Sequence, residues 1–245
     1  MRSLVEVVAR AGPGGRTVLP VVRASGQLAV RRTGPVTVHL VATAFGPLGG
    51  DDAEVRLVVE PGAVLRVRSV AAAVVLPARG DSPPSAQRVL ADVDGDLDLQ
   101  LEPTVVAARA HHVATVTVRL GAGGELTLSE QVLLGRTGEQ PGRWTGTTRV
   151  LRDGRPLLHT TLDLGPGAPT WAPPMAPRAY ASTTRVRPGP GVGTATGVDA
   201  VRLPLPGGWV STAWGDALDR VARADADLHP GSRPAAQPVL AGVPS

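Results

Sequence analysis

The run Val113-Ala114-Thr115-Val116-Thr117-Val118-Arg119-Leu120 passes through Gly121-Ala122-Gly123-Gly124 into Glu125-Leu126-Thr127-Leu128-Ser129-Glu130-Gln131-Val132-Leu133-Leu134. Both runs alternate apolar with polar or small residues. Successive side chains of a strand point to opposite faces, so each run has one inward and one outward face. Val and Thr suit such a half-buried pleated surface, and the glycine-rich segment between the runs breaks the chain into a reversal. The same phrase recurs in both directions. Leu4 to Ala9, Val36 to Thr43, Glu54 to Val59 and Val64 to Ser69 precede it, while Trp144 to Leu151 and Leu157 to Leu164 follow. Pro61-Gly62 and Asp153-Gly154 mark further turns. Many short strands at regular spacing predict a mainly β protein, wound in a β-helix-like or sandwich-like arrangement. No fixed-period repeat chooses between the two.

One or two helices are expected. One lies near residues 82–90, after Pro83-Pro84. The other spans 212–224, capped by Ser211 or Thr212, with Ala213, Ala217, Leu218, Val221 and Ala222 at helical spacing. Gly165 to Pro177 and Arg187 to Gly197 are rich in Pro and Gly and read as loops. These features predict a single mostly-β domain over 1–228 and a Pro-rich tail over 229–245, expected to be poorly ordered.

Composition narrows the chemistry. The chain has 245 residues, 42% hydrophobic but only 2% aromatic, so its core is built from Val, Leu and Ala. It has no Cys, which excludes disulfides, thiolate metal sites and cysteine nucleophiles. All 25 basic residues are Arg, dispersed among 21 acids for a net charge of +4. That dispersion, with few aromatics, argues against nucleic-acid binding. No segment reaches the roughly 18 consecutive apolar residues of a membrane span, and the N-terminus lacks a signal-peptide core. A cytoplasmic protein is expected.

Motifs of catalysis are absent. There is no Gly-x-Ser-x-Gly elbow, phosphate loop or dinucleotide fingerprint. His111 and His112 are neighbours on a predicted strand and point to opposite faces, so they do not chelate one ion together; one is expected to be exposed and the other half-buried. The run Asp92-Val93-Asp94-Gly95-Asp96-Leu97-Asp98 fails the calcium-loop pattern, because the sixth position is Leu97 and the twelfth is Pro103. It reads as the solvated face of an amphipathic strand with a turn at Gly95.

Three local patterns appear in order: Gly46-Pro47-Leu48-Gly49-Gly50-Asp51, Leu97-Asp98-Leu99-Gln100-Leu101-Glu102-Pro103-Thr104-Val105, and Glu130-Gln131-Val132-Leu133-Leu134-Gly135-Arg136-Thr137-Gly138-Glu139. Together they resemble the urease accessory protein D family, called H in some bacteria. The likeness extends over roughly residues 36–225 and includes Arg149 to Leu157 and the helix after Gly207-Gly208-Trp209-Val210. Its motif positions here are Gly49, Gly50, Pro103, Gly135, Arg136 and Gly138. One departure is Arg68-Ser69-Val70-Ala71-Ala72-Ala73-Val74, where the family is polar.

The resemblance implies a non-enzymatic scaffold for urease maturation. Such a scaffold docks apo-urease with accessory proteins F and G and helps nickel to reach the urease active site. It implies no tightly bound cofactor, nickel only in transit, and a dimer within the accessory complex. Carboxylates are weak, exchangeable ligands suited to brief contacts with such an ion. The family acids recur at Asp51, Asp98, Glu102, Glu130 and Glu139, with Glu130 and Asp51 foremost. Structural alternatives stand beside them: Asp51 bonding its own turn, and Glu130 pairing with Arg136. Trp171, among Pro169, Pro173 and Pro174, is the candidate interface anchor. A β-rich binding module for a carbohydrate or protein is the alternative, though its aromatic platforms are few. An enzyme would need two convergent carboxylates that no spacing here defines.

Overall fold

The computed structural model describes residues 1–80, 82–169, 172 and 176–231; Trp171 and the tail beyond Gly231 lie outside the described residues. The strands are β1 (Arg2–Ala11), β2 (Thr17–Ser25), β3 (Leu28–Arg32), β4 (Thr37–Ala42), β5 (Asp52–Val59) and β6 (Val64–Ser69). Then come β7 (Ala73–Val75), β8 (Ser85–Val93), β9 (Asp96–Gln100), β10 (Thr104–Val106), β11 (His111–Leu120) and β12 (Glu125–Leu134). The last group is β13 (Arg143–Arg152), β14 (Arg155–Leu164), β15 (Ala179–Val186), β16 (Ala195–Gly197), β17 (Ala200–Leu205) and β18 (Gly208–Gly215), before the helix α1 (Leu218–Asp227).

These strands form two sheets. One runs in the order β14-β13-β11-β8-β5-β1-β2; the other runs β16-β17-β18-β15-β12-β9-β6-β4-β3, with β10 attached beside β12 and β7 beside β10. From β4 to β13 the chain alternates between the sheets, so neighbours within each sheet are parallel: β5 with β8, β8 with β11 and β11 with β13 on one side, β4 with β6, β6 with β9 and β9 with β12 on the other. The centre is therefore wound as a β-helix flattened into a sandwich, and antiparallel hairpins complete both ends. Successive coils differ in length, since Asp52 lies beside Ala86, Ala86 beside Val113, and Val113 beside Thr145. That inequality is why no repeat shows in the sequence.

The core sits between the sheets. Val55, Leu57 and Val59 of β5, Leu65 and Val67 of β6, and Leu126 and Leu128 of β12 all belong to one buried cluster. A second cluster surrounds Trp144, whose ring lies 5.6 Å from that of Tyr180. A third holds α1 against the outer face of β15 and β18 through Ala181, Ala213 and Val221.

Of the two places where a helix was expected, one holds a strand and the other holds the helix with a later start. Residues 82–90 hold the start of β8, a strand hydrogen-bonded on both sides by β5 and β11. Val89, Ala91 and Val93 face the core, and tertiary pairing decides for a strand where a short apolar run is ambiguous. Residues 208–215 are β18, paired with both β15 and β17, and the helix begins only at Leu218. Ser211 is not a helix cap; its hydroxyl donates to the buried Asp225 at 2.6 Å. Asp225 also accepts from Thr183 at 2.7 Å and is contacted by His229 at 3.3 Å, which fastens the end of α1 to the sheet. Within the expected loop Arg187–Gly197, the last three residues form β16.

Candidate functional site

Strand β12 places its even-numbered residues inward: Leu126, Leu128, Val132 and Leu134 are buried, and Glu130 occupies the same face between them. Its carboxyl forms no hydrogen bond with the described residues and is enclosed between the sheets. Burial raises its pKa to about 7. The side chain nevertheless keeps some accessible surface, because it opens onto two cavities.

One cavity, of about 240 Å³, lies beyond Glu130 between β13–β14 and β15–β18. Trp144 and Tyr180 form its apolar walls, and hydroxyls of Thr148, Thr160, Ser182 and Thr212 line the rest. The Trp144 ring folds over Gly146, where a β-carbon would collide with it. The second cavity, of about 50 Å³, joins Glu130 to Glu102 and His112. A third, of about 190 Å³, shares Gln87, Leu101, Glu102 and Thr104 with the second and extends to Asp51. The three adjoin one another along the coil axis, with Asp51, Glu102 and Glu130 spaced through them.

Asp51 is buried at the end of this row. Its Oδ2 accepts the Leu48 N–H at 2.9 Å, and its other oxygen receives the terminal amine of Met1. Burial alone would raise its pKa, but the hydrogen bonds from Met1 and Leu48 outweigh it and hold the carboxyl below its ordinary value. The turn-bonding role expected of Asp51 is thus present together with its place on the cavity wall. Around this end lie exposed apolar side chains, Phe45 (92% exposed), Val70 (58%) and Leu48 (38%). Val70 comes from the segment that departs from the family pattern.

His112 is a member of the middle cavity that sequence reading set aside. It is 1% exposed, where half-burial was expected of the more buried of the two histidines, and His111 is the half-buried one. Burial, then the charge of His111, lowers its pKa to about 4, so the ring is neutral at neutral pH. Its Nδ1 meets the Ser85 hydroxyl at 2.9 Å, while its buried Nε2 has no partner among the described residues. The alternation of β11 puts His112 on the face of Val116 and Val118, which was the available signal.

The remaining acids lie elsewhere. Asp98 is on the outer face of β9, paired with Arg68 at 2.7 Å, consistent with the solvated strand face read from the Asp run. Glu139 accepts from Arg136 Nε at 2.8 Å in an exposed turn, and this bond first of all lowers its pKa to about 2. The expected Glu130–Arg136 pair does not form, because Arg136 is turned to Glu139. The same turn explains two motif residues. Gly135 has φ 80°, and a β-carbon there would meet Arg178 Nη2 at 2.6 Å and the Gln140 carbonyl at 2.8 Å. Arg178 ties the turn by donating to the carbonyls of Leu134 and Glu139. Pro103 accepts the N–H of Ala73 at 3.0 Å, seating β7 beside β10. Among the described residues, no three His, Asp or Glu side chains gather closely enough to chelate a metal. No helix among them is long and apolar enough to cross a membrane.

Fold and site define a coil-wound, two-sheet β protein with a row of adjoining cavities, along which Asp51 is buried, Glu130 is partly buried and Glu102 is exposed. The chain belongs to the UreD urease accessory protein family, whose model matches residues 3–214. It is 41% identical over 199 residues to urease accessory protein UreD of Streptomyces coelicolor, covering 77% of this chain and 78% of that one. The UreD protein of Frankia alni is 40% identical over 245 residues, covering 88% of this chain and 77% of the relative. That of a Parafrankia strain is 37% identical over 245 residues, with 86% and 82% covered.

Proposed function

We propose that this chain is a non-enzymatic scaffold of urease maturation that docks apo-urease with accessory proteins F and G and gives nickel a path between them. The observation behind this reading is the row of three adjoining cavities with Asp51, Glu102 and Glu130 along it. Family membership supports the role in maturation.

The chemistry of the row suits a cation in transit. A divalent ion needs oxygen or nitrogen donors wherever it leaves water. Single carboxylates, threonine hydroxyls and one neutral imidazole provide them in sequence, each too weak alone to trap the ion. Glu130 holds its proton near neutral pH and releases it to an arriving cation, so the empty passage carries no uncompensated charge there. Asp98 and Glu139, held by arginines on the surface, have no part in the path as we draw it. The apolar rim of Phe45, Leu48 and Val70 is the face we assign to a protein partner, and it places the mouth at Asp51 inside the assembled complex. Function inside such a complex fits a cytoplasmic location.

The test is urease produced together with its accessory proteins, with its nickel content measured by elemental analysis. Removing this chain should leave urease synthesised but nickel-poor. Glu130→Gln and Glu102→Gln should co-purify with the partners as the native chain does, yet deliver several-fold less nickel. Normal nickel content without the chain sinks the whole proposal. Normal nickel content with both of these variants sinks the path while sparing the scaffold.

A further inference from the structure

A separate pocket lies at the opposite end of the strands from Asp51 and Glu102, where β15 leaves its sheet. It measures about 240 Å³ and opens to solvent beside the turn joining β17 to β18. We propose that this pocket, lined by Arg185, Arg187, Gly189, Gly207, Trp209 and Pro230, is an oxyanion site that takes a phosphate group.

Arginine geometry supports this inference. Arg185 is on the outer face of β15, in line with Ala181 and Thr183 beneath the helix, and its cross-strand partner is Trp209. Trp209 is buried and packs against His229 in a tilted arrangement, with ring centres 4.7 Å apart, and Pro230 follows in the wall. Arg185 is therefore held by packing rather than by charge. It has no carboxylate partner among the described residues, and its Nε is buried without an acceptor. A guanidinium is always charged, and a buried unmatched donor costs free energy. Its unmet donor therefore calls for an anion.

Two more guanidiniums stand close by. Arg187 is half-exposed, pairs with Glu125 at a long 3.4 Å and also feels the charge of Asp96. Arg152 lies directly behind Gly207, where a β-carbon would come within 3.1 Å of its Nη1. Its Nε is also buried without an acceptor, and its Nη2 is used on the Gly124 carbonyl. Two of the four orphaned buried side-chain atoms among the described residues thus belong to this one corner.

The rest of the wall is small or apolar. Gly207 has φ 71° and Gly189 φ 134°, so both stand in backbone conformations that favour glycine, and Pro188, Pro190 and Val192 add no charge to the lining. Glu125 and Asp96 face Arg187 from outside the pocket, and no carboxylate lines the pocket itself. Phosphate fits better than carboxylate. Planar guanidinium forks give paired donors, and a phosphate's three acceptor oxygens engage two forks at once. Trp209 is covered by His229, so the site offers no ring to stack a nucleobase, and recognition is of the phosphate alone.

The test is isothermal titration of the full chain with inorganic phosphate, with acetate at matched ionic strength and with adenosine monophosphate. Phosphate should bind at one site, acetate should not, and the nucleotide should bind no more tightly than phosphate. Arg185→Gln should weaken phosphate at least about tenfold, as expected for losing a charge-assisted fork. Arg187→Gln, on an exposed side chain that does not threaten folding, should weaken it less, since Glu125 already engages that group. Unchanged circular dichroism checks that each variant is folded. Equal responses to phosphate and acetate overturn the proposal. So does native affinity in both arginine variants. A nucleotide preference of tenfold or more also overturns it, because the site would then read the base.

Discussion

Replacing Glu130 by Gln should stabilise the protein and impair its work together. The carboxyl rises from an ordinary 4.5 to about 7 through burial. One pKa unit is worth about 1.4 kcal/mol, so ionising this group in the folded chain costs about 3 kcal/mol more than in the unfolded chain. The sign follows from the raised value. The stability linked to the protonated side chain is fully present below pH 4.5, declines as pH rises through 7, and is gone above it. Gln keeps the shape and never ionises. Its advantage should be about 1 kcal/mol at pH 5 and about 3 kcal/mol at pH 8. Urea unfolding of both proteins at pH 5, 6, 7 and 8, followed by tryptophan fluorescence, measures this directly, since Trp144 lines the cavity beyond Glu130. A constant gap across the series, or a native chain that is the more stable at pH 8, would refute the buried, unpaired carboxyl on which the path depends.

Other outcomes follow from the same structure. His112 is depressed from 6.5 to about 4, so its contribution is present above pH 6.5 and lost as pH falls through 4. His112→Leu should remove about 3 kcal/mol of that acid sensitivity, seen as a flatter stability curve between pH 6.5 and 4. Trp144→Ala enlarges an existing cavity beside Tyr180 and should cost about 3–5 kcal/mol in chemical denaturation. Asp225→Ala leaves the Ser211 and Thr183 hydroxyls without their acceptor. It should destabilise the chain by about 2–4 kcal/mol and speed amide exchange throughout α1, while exchange in β5 and β8 rises only as far as the loss of global stability requires. Gly135→Ala forces an alanine to φ 80° against Arg178. It should lower the unfolding midpoint with a cost of at least about 1 kcal/mol.

Much of this was legible from local pattern. The strands around Gly121 to Gly124 stand where alternation puts them, and the Asp92–Asp98 run divides at Gly95 into two strands with its acids outward. Residues 82–90 were misread as a helix because a short apolar run after two prolines fits either state; pairing with β5 and β11 decided it. Residues 212–215 were misread because Ala, Ser and Thr spacing fits a helix face as well as a strand edge. Of the five acids, Asp51, Glu102 and Glu130 share the row of cavities, while Asp98 and Glu139 each face an arginine outside it. Nothing in their separate motifs distinguished these fates. The one local clue was parity: Glu130 interrupts Leu126, Leu128, Val132 and Leu134 on the inward face.

By itself, the sequence determined that this chain is a cysteine-free β protein with a Val- and Leu-rich interior, because side-chain alternation and turn residues act within a few positions of each other. Only the tertiary structure decided that coils of unequal length bring β5, β8, β11 and β13 into parallel register, and that a carboxylate, an imidazole and several hydroxyls meet between the sheets. Those neighbours lie tens of residues apart along the chain, and desolvation depends on everything that closes around a group. Neither the cavities nor the shifted protons have a local signature.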